Sequence, residues 1–454
     1  MNINCLAPKL VLCILVATVP ASPALPQDVH DWPEWRGVGR DGDWTESGIV
    51  SEFSTDSLKV LWRQPISSGY SGPTVADGLV YVMDRKADGA DQSERVLCFD
   101  AATGEPKWEH EYDAVYAGVG YVAGPRASVT VVDGRAFALG TMGHAHCLDS
   151  KSGDVIWAKN LNSEYRISAS KRMPIWGIAA SPLVYSDKVI LHIGGADGAC
   201  LVALDIESGK EVWRALEDRA QYSSPVMCQQ NGTDVVVCWT GDSVAGLNPN
   251  SGEVYWRHQF TPRNMPIGVA TPVIHGDQIF VTSFYDGSLM LRMNPDAMTV
   301  TEVWKAIGES ENETAALHSI ISTPVWIGVH IYGVDSYGEF RCLKVSDGSR
   351  VWEDTTAVPR SRWSTMHFVQ NGKLTWMFNE RGELILGELS PERFREISRA
   401  KLIEPTTAQL RERDGVCWSH PAFANRCIFL RNDKEIICVS LAADQDAGGS
   451  VQRK

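Results

Sequence analysis

The chain has 454 residues, 44% of them apolar and 22% charged, which is enough for a large core and too balanced for a disordered chain. Its formal net charge is −14, and no basic stripe with interleaved aromatics is present, so no nucleic-acid partner is expected. Tryptophan is over-represented, with 16 copies.

Residues 1–24 read as a secretory signal peptide: a short start with Lys9, an apolar run from Leu10 to Pro20, then Ala21, Ser22 and Ala24, with cleavage after Ala21 or Ala24. The run is too short to span a bilayer, and no transmembrane segment is expected elsewhere. Leu12 precedes Cys13, where a lipid-anchor signal wants a small residue, so export to a periplasm or the cell exterior without a lipid anchor is expected. Eleven cysteines less Cys5 and Cys13 leave nine, an odd number that forbids complete internal pairing.

Residues 25–57 form a leader containing Trp32-Pro-Glu-Trp35-Arg-Gly37-Val-Gly-Arg40-Asp-Gly42. From residue 58 the chain repeats. Trp62, Trp108, Trp157, Trp213, Trp256, Trp304 and Trp352 are spaced 46, 49, 56, 43, 48 and 48 residues apart. Before four of them stands one kind of turn: Asp100-Ala-Ala-Thr-Gly104, Asp149-Ser-Lys-Ser-Gly153, Asp205-Ile-Glu-Ser-Gly209 and Asn248-Pro-Asn-Ser-Gly252. The first side chain bonds its own backbone, and Gly takes the positive φ. Later copies decay, and in the segment from Leu389 to Ile397 an isoleucine replaces the tryptophan.

Each repeat opens on a short strand such as Gly72-Pro73-Thr74-Val75, Ser181-Pro182-Leu183-Val184, Ser224-Pro225-Val226, Thr271-Pro272-Val273 or Thr323-Pro324-Val325. Two further strands and the tryptophan strand follow. Four short strands per period, without helical periodicity, predict an all-β, eight-bladed β-propeller with four-stranded antiparallel blades over residues 58–441. The last repeat has three strands, and the Trp62 segment is an unpaired fourth. Pairing them closes the ring. Residues 442–454 are a polar tail, expected to be disordered.

The seven repeated tryptophans are read as structural, packing between neighbouring sheets. Cys98, Cys147, Cys342 and Cys438 share one repeat position, a slot for a small buried side chain. Cys228 and Cys238 flank the turn Asn231-Gly232 and could face each other across a hairpin. A directly opposed pair strains a disulfide, so none is expected there. Trp239, Trp326 and Trp376 lie within strands and read as core. His144-Ala-His146 alternates as two metal ligands would, but without a third ligand it reads as a solvated loop, and no metal site is expected. Gly194-Gly-Ala-Asp-Gly198 lacks the Lys-Ser/Thr of a phosphate loop and reads as a hairpin turn.

The loops leading into the first strands and the turns joining second to third strands share one face, around a central funnel. Trp176, Trp363 and Trp418 fall there outside the repeated slot and are the first candidates for a ligand or partner site. Arg126, Arg172, His318, Arg362, His420, Asp286, Asp335 and Arg381 surround them.

The Asp-x-x-(Ser/Thr)-Gly-x-x-x-Trp signature resembles the pyrroloquinoline quinone (PQQ) type repeat of quinoprotein alcohol dehydrogenases and of the outer-membrane assembly factor BamB. The leader resembles that of secreted bacterial proteins with this repeat. The resemblance covers nearly the whole mature chain and implies the fold, which hosts enzymes and scaffolds alike. The dehydrogenases need PQQ, a Ca²⁺ held by carboxylate and amide oxygens and an Asp base; many have vicinal cysteines. This chain has no adjacent cysteines and no Cys-x-x-Cys-His for haem, and no catalytic Asp carries over. The leading expectation is therefore an exported, non-catalytic propeller that needs no cofactor and binds a protein or polysaccharide partner at its funnel. The alternative is a PQQ- and calcium-dependent alcohol dehydrogenase with a divergent site. A sugar-active enzyme would need two carboxyl groups facing each other at about 5–10 Å.

Overall fold

The computed structural model describes Met1, residues 30–54 and residues 57–443. The signal segment with its cleavage site, and residues 444–454 of the tail, lie outside the described residues.

The repeat folds as expected into eight four-stranded antiparallel sheets, seven of them running in chain order from the axis outward. We number the blades 1 (residues 74–113), 2 (130–160), 3 (183–215), 4 (226–259), 5 (273–306), 6 (325–354), 7 (366–401) and 8 (422–440 with 60–65). Blade 8 closes the ring as expected: the strand Val60–Pro65 pairs antiparallel with Glu435–Ser440. Closure removes the open sheet edge and the bare apolar blade face that an unclosed array would expose.

Register explains the two repeated residue types together. Each cysteine of the shared slot lies directly across the ladder from its blade's tryptophan: Cys98 from Trp108, Cys147 from Trp157, Cys342 from Trp352 and Cys438 from Trp62. In blade 4 the same place is Gly246, where a Cβ would come within 2.3 Å of Trp256. A β-bulge beside the pair turns the strand and aims the indole at the next blade.

Each indole then latches onto the turn of the following blade. Trp62 donates to the Ala101 carbonyl (2.9 Å), Trp108 to Ser150 (3.0 Å), Trp157 to Ile206 (2.9 Å) and Trp213 to Pro249 (3.0 Å). The turn glycine lies flat on the ring: at Gly104 (φ +75°) a Cβ would stand 2.6 Å from Trp62. Where the turn has decayed, Gln230 relays the contact, accepting from Trp256 and donating to the carbonyls of Asn294, Ala297 and Thr299. Four of the seven indoles are buried, whereas Trp108, Trp304 and Trp352 are half-buried.

Four sequence expectations need correction. In blade 7 the bulge shifts the register, so Ser398, not Ile397, lies across from Leu386 in the tryptophan slot, and Ser398 bonds the backbone N–H of Phe53 from the leader. Cys228 pairs with Val235, three residues from Cys238, so the two thiols point to opposite faces and cannot face each other. Trp239 and Trp376 are core, but Trp326 is half-buried and stacks on His275. Ala442 and Ala443 of the tail are ordered against the leader, pairing with Ile49 and Gly48.

The leader is the element that sequence periodicity could not place. It packs against the innermost strands around the axis. Trp32 pairs with Val75 of blade 1, and Gly42 and Trp44 pair with Gln370 of blade 7. Between them Arg40, buried, donates to the carbonyls of Ser181, Pro182 and Pro225, and its Nε bonds Glu34 at 2.6 Å. The repeated proline accounts for this. It supplies a carbonyl but no N–H at the innermost strand, so the channel wall is rich in acceptors and a guanidinium complements it.

Candidate functional site: an aromatic socket at the funnel

The lead-in loops converge on a cavity of about 120 Å³ at the funnel end of the axis. Its floor is Trp35 of the leader, which donates to Thr271 (2.7 Å) and meets His420 edge-on at 4.3 Å. Its walls are Tyr70, Tyr121, Trp176, Tyr222, Trp363 and Trp418.

Tyr121 is the hub. Its ring lies 5.5 Å from Trp176, 5.8 Å from Trp363 and 6.1 Å from Trp418, centroid to centroid. The loop that carries it joins blades 1 and 2, and Arg126 pins that loop by donating to the carbonyls of Gly120, Tyr121 and Gly124. Trp176 stacks on Tyr222 at 4.8 Å, and the Arg362 guanidinium sits 4.4 Å over Trp363.

Two walls of the socket are strained. Tyr121 (φ +54°) and Trp363 (φ +69°) both occupy the left-handed region, which bulky residues rarely adopt. Holding such a residue there costs about 1–3 kcal/mol and persists only where the surroundings enforce it. The Trp363 backbone is fixed by its N–H to the Ser336 carbonyl, yet its indole Nε1–H is buried without a partner.

The socket is nearly uncharged. Burial pushes the Tyr121 phenol up to about 12, holds His367 down to about 4 and keeps His420 well below its ordinary value. Those rings are neutral near pH 7. The one charged lining group is Arg126, and no carboxylate lines the cavity. The facing carboxyl pair that glycoside hydrolysis requires is therefore missing from the socket.

Of the residues singled out from sequence, Trp176, Trp363, Trp418, Arg126 and His420 meet at this cavity. The others lie outside the lining. Arg172 ties the carbonyls of Gly194, Glu217 and Asp218. His318 is fully buried between Phe284 and Gly308. Asp335, equally buried, accepts from Arg341, Thr314 and the His318 N–H. Asp286 accepts from the Arg263 backbone, Arg362 pairs with Glu311, and Arg381 donates to the Gly415 carbonyl. Tyr70, Tyr121 and Trp35 were missed. The signal for Tyr121 was the long glycine-rich loop between blades 1 and 2, and for Trp35 the second tryptophan of the leader motif.

His144 and His146 also depart from expectation. They stand on the strand His144–Asp149, not in a solvated loop, and His146 is buried with its ring 4.8 Å from His110 of blade 1. Burial drives His146 down to about 3. Among the described residues no group of three or more His, Cys, Asp or Glu is placed to hold a metal ion.

The sequence matches the family described as outer membrane protein assembly factor BamB over residues 44–120 and 92–354, well over half its length. The chain belongs to that PQQ-like repeat family. Among BamB-type relatives, the assembly factor BamB of Shewanella oneidensis is 25% identical over 231 residues, 50% of this chain and 56% of that protein. BamB of Burkholderia pseudomallei is 26% identical over 277 residues, 58% of this chain and 67% of that one. The match thus spans little more than half the length of the first relative. The quinohemoprotein alcohol dehydrogenase ADH-IIG of Pseudomonas putida is 24% identical over 191 residues, 40% of this chain and 25% of the enzyme. Solved structures share the BamB-type fold: Moraxella catarrhalis BamB superposes with a TM-score of 0.56 at 15% identity, covering 87% of this chain and 99% of that one. The quinohemoprotein alcohol dehydrogenase of Comamonas testosteroni gives 0.60 at 13%, covering 93% and 82%.

Proposed function

We propose that this is an exported cell-envelope propeller that acts without catalysis, as a scaffold holding a protein partner at its funnel face. The observation that carries the reading is the socket: six aromatic walls, two of them in a costly backbone conformation, around a cavity without a carboxylate. Strain of that kind is maintained where side chains must be presented in one geometry, and rigid aromatic anchors dominate protein recognition. The relatives named as assembly factors agree with a scaffold role.

The alternative, a PQQ- and calcium-dependent alcohol dehydrogenase, draws support from the quinohemoprotein relatives. The socket does not fit those groups. Ca²⁺ takes six to eight oxygen ligands with carboxylates among them, and no Asp, Glu, Asn or Gln lines the socket. Arg126, the one lining cation, is committed to backbone carbonyls.

Affinity capture from the native envelope fraction tests the proposal. The intact chain should retain a specific protein that Trp363→Gly loses and Val254→Ser, on an outer strand, keeps. Capture unaffected by Trp363→Gly would overturn the funnel assignment. Dye-linked alcohol oxidation after addition of PQQ and Ca²⁺ would overturn the non-catalytic reading.

A further inference from the structure

Each innermost strand ends on a two-residue turn, so the backbone N–H and C=O of its penultimate residue point away from the second strand and toward the axis. In three blades the leader takes those groups. Trp32 exchanges both bonds with Val75 (2.8 Å each), the Pro33 carbonyl accepts from Val131 (2.9 Å), and Gln370 bonds the Gly42 carbonyl and the Trp44 N–H (2.9 and 2.7 Å). Ile274 of blade 5 and Trp326 of blade 6 hold the same register place. Among the described residues their backbone groups receive no bond from outside their own ladders.

Those two residues line a groove of about 540 Å³, between blades 4 to 6 and the leader turn that carries Asp41 and Asp43. The first-to-second strand turn at His275-Gly276 borders it, so it opens on the face opposite the socket. We infer that this groove is a second docking site, at which a protein partner lays an extended segment bearing an arginine. The segment's backbone pairs with Ile274 and Trp326 as Trp32 and Pro33 pair with Val75 and Val131, successive residues meeting successive blades.

The arginine has a precedent next door. Arg40 gathers the carbonyls of Ser181, Pro182 and Pro225 from blades 3 and 4. The matching prolines of blades 5 and 6, Pro272 and Pro324, stand in the groove wall, and their carbonyls accept no bond among the described residues. A planar guanidinium serves such a fan of acceptors better than a compact ammonium does.

Charge agrees with that guest. Asp41 and Asp43 are exposed; Asp41 commits one carboxylate oxygen, to the Asp43 N–H, and the Asp43 carboxylate bonds no described residue. The opposing charge is Arg36, whose Nε and Nη2 are spent on the Arg40 and Asp41 carbonyls, while Arg40 is matched by Glu34. Two carboxylates thus face one unmatched cation, and a basic guest evens the count. His275, Gln229 and Gln370 also line the groove; they offer donors and acceptors alike and set no sign.

Fluorescence anisotropy of dye-labelled, end-blocked tripeptides against the full chain tests the inference, with arginine, lysine or glutamate between two valines. The arginine peptide should bind about tenfold tighter than the glutamate peptide at low salt, with lysine between them. N-methylating the valines removes the backbone donors and should weaken the arginine peptide about tenfold. Asp43→Asn should weaken it several-fold with the thermal melt unchanged, and Trp363→Gly, in the socket, should leave its affinity as it was. Equal binding of arginine and glutamate peptides, indifference to Asp43→Asn or to N-methylation, loss of binding with Trp363→Gly, or no binding of any peptide overturns the inference. Binding only after deletion of residues 444–454, or a dimer that Asp43→Asn dissolves, gives the groove to the chain's own tail or to a second copy and overturns it equally.

Discussion

The rim and the axis of this ring are built on opposite plans. At the rim one device recurs: a tryptophan, a small residue across the ladder and a bulge, with the indole docked on the glycine turn of the next blade. At the axis nothing recurs. A leader lies against the innermost strands, Arg40 gathers carbonyls from blades 3 and 4, and five aromatics from other loops line the socket with Tyr121. The indole contacts tie seven of the eight seams, so the loops at the axis are free to diverge and to hold strained residues. Structure lives in what repeats and recognition in what departs from the repeat.

The contrast can be broken most severely at the closing blade. Deleting residues 58–66 removes the strand that pairs with Glu435–Ser440 and should abolish the cooperative thermal transition, because the seam between blades 8 and 1 opens. A sharp melt near the parent temperature would show that closure is dispensable. Trp157→Ala should cost about 3–5 kcal/mol in chemical unfolding through the cavity left under the Ile206 carbonyl. Arg40→Met, at the axis, should cost about 1–3 kcal/mol for each buried carbonyl left without a donor.

Acid should act on a different set. His146, His192 and His367 are held by burial to about 3, 4 and 4. They are neutral in the fold and take up protons on unfolding, so their contribution is complete above about pH 6.5 and is lost as pH falls toward 4. Each can remove up to about 1.4 kcal/mol per pH unit in that window. The melting temperature should therefore be level above pH 7 and fall below 6, and His146→Leu should soften the fall. The smallest effect on stability belongs to the socket: Trp363→Gly accepts φ +69° without strain and should change stability by less than about 1 kcal/mol while removing partner capture.

Legibility in the sequence followed the same division. The Trp62-to-Trp352 series and its glycine turns repeat, so blade count, ring closure and the small slot held by Cys98 and its equivalents were readable from spacing. Ile397 was misassigned because a single-residue bulge moves the register and leaves Ser398 in the slot. Cys228 and Cys238 misled although their hairpin is regular: the two-residue turn sets Cys228 across from Val235, and an odd offset of three from Cys238 puts the thiols on opposite faces. His144 and His146 read as loop residues because their neighbour, His110, comes from another blade. Trp176, Trp363 and Trp418 were found by their failure to repeat. Tyr121 and Trp35 were not, because they reach the socket through a loop arch and the leader, neither of which leaves a periodic trace.

Hydrogen–deuterium exchange of the full chain, with and without the partner recovered by capture, addresses the division most directly. Protection should appear in the loops around Tyr121, Trp176, Trp363 and Trp418, with the outer strands from Pro106–Asp113 to Arg350–Asp354 unchanged. Protection confined to those outer strands, with the funnel loops exchanging as before, would contradict it.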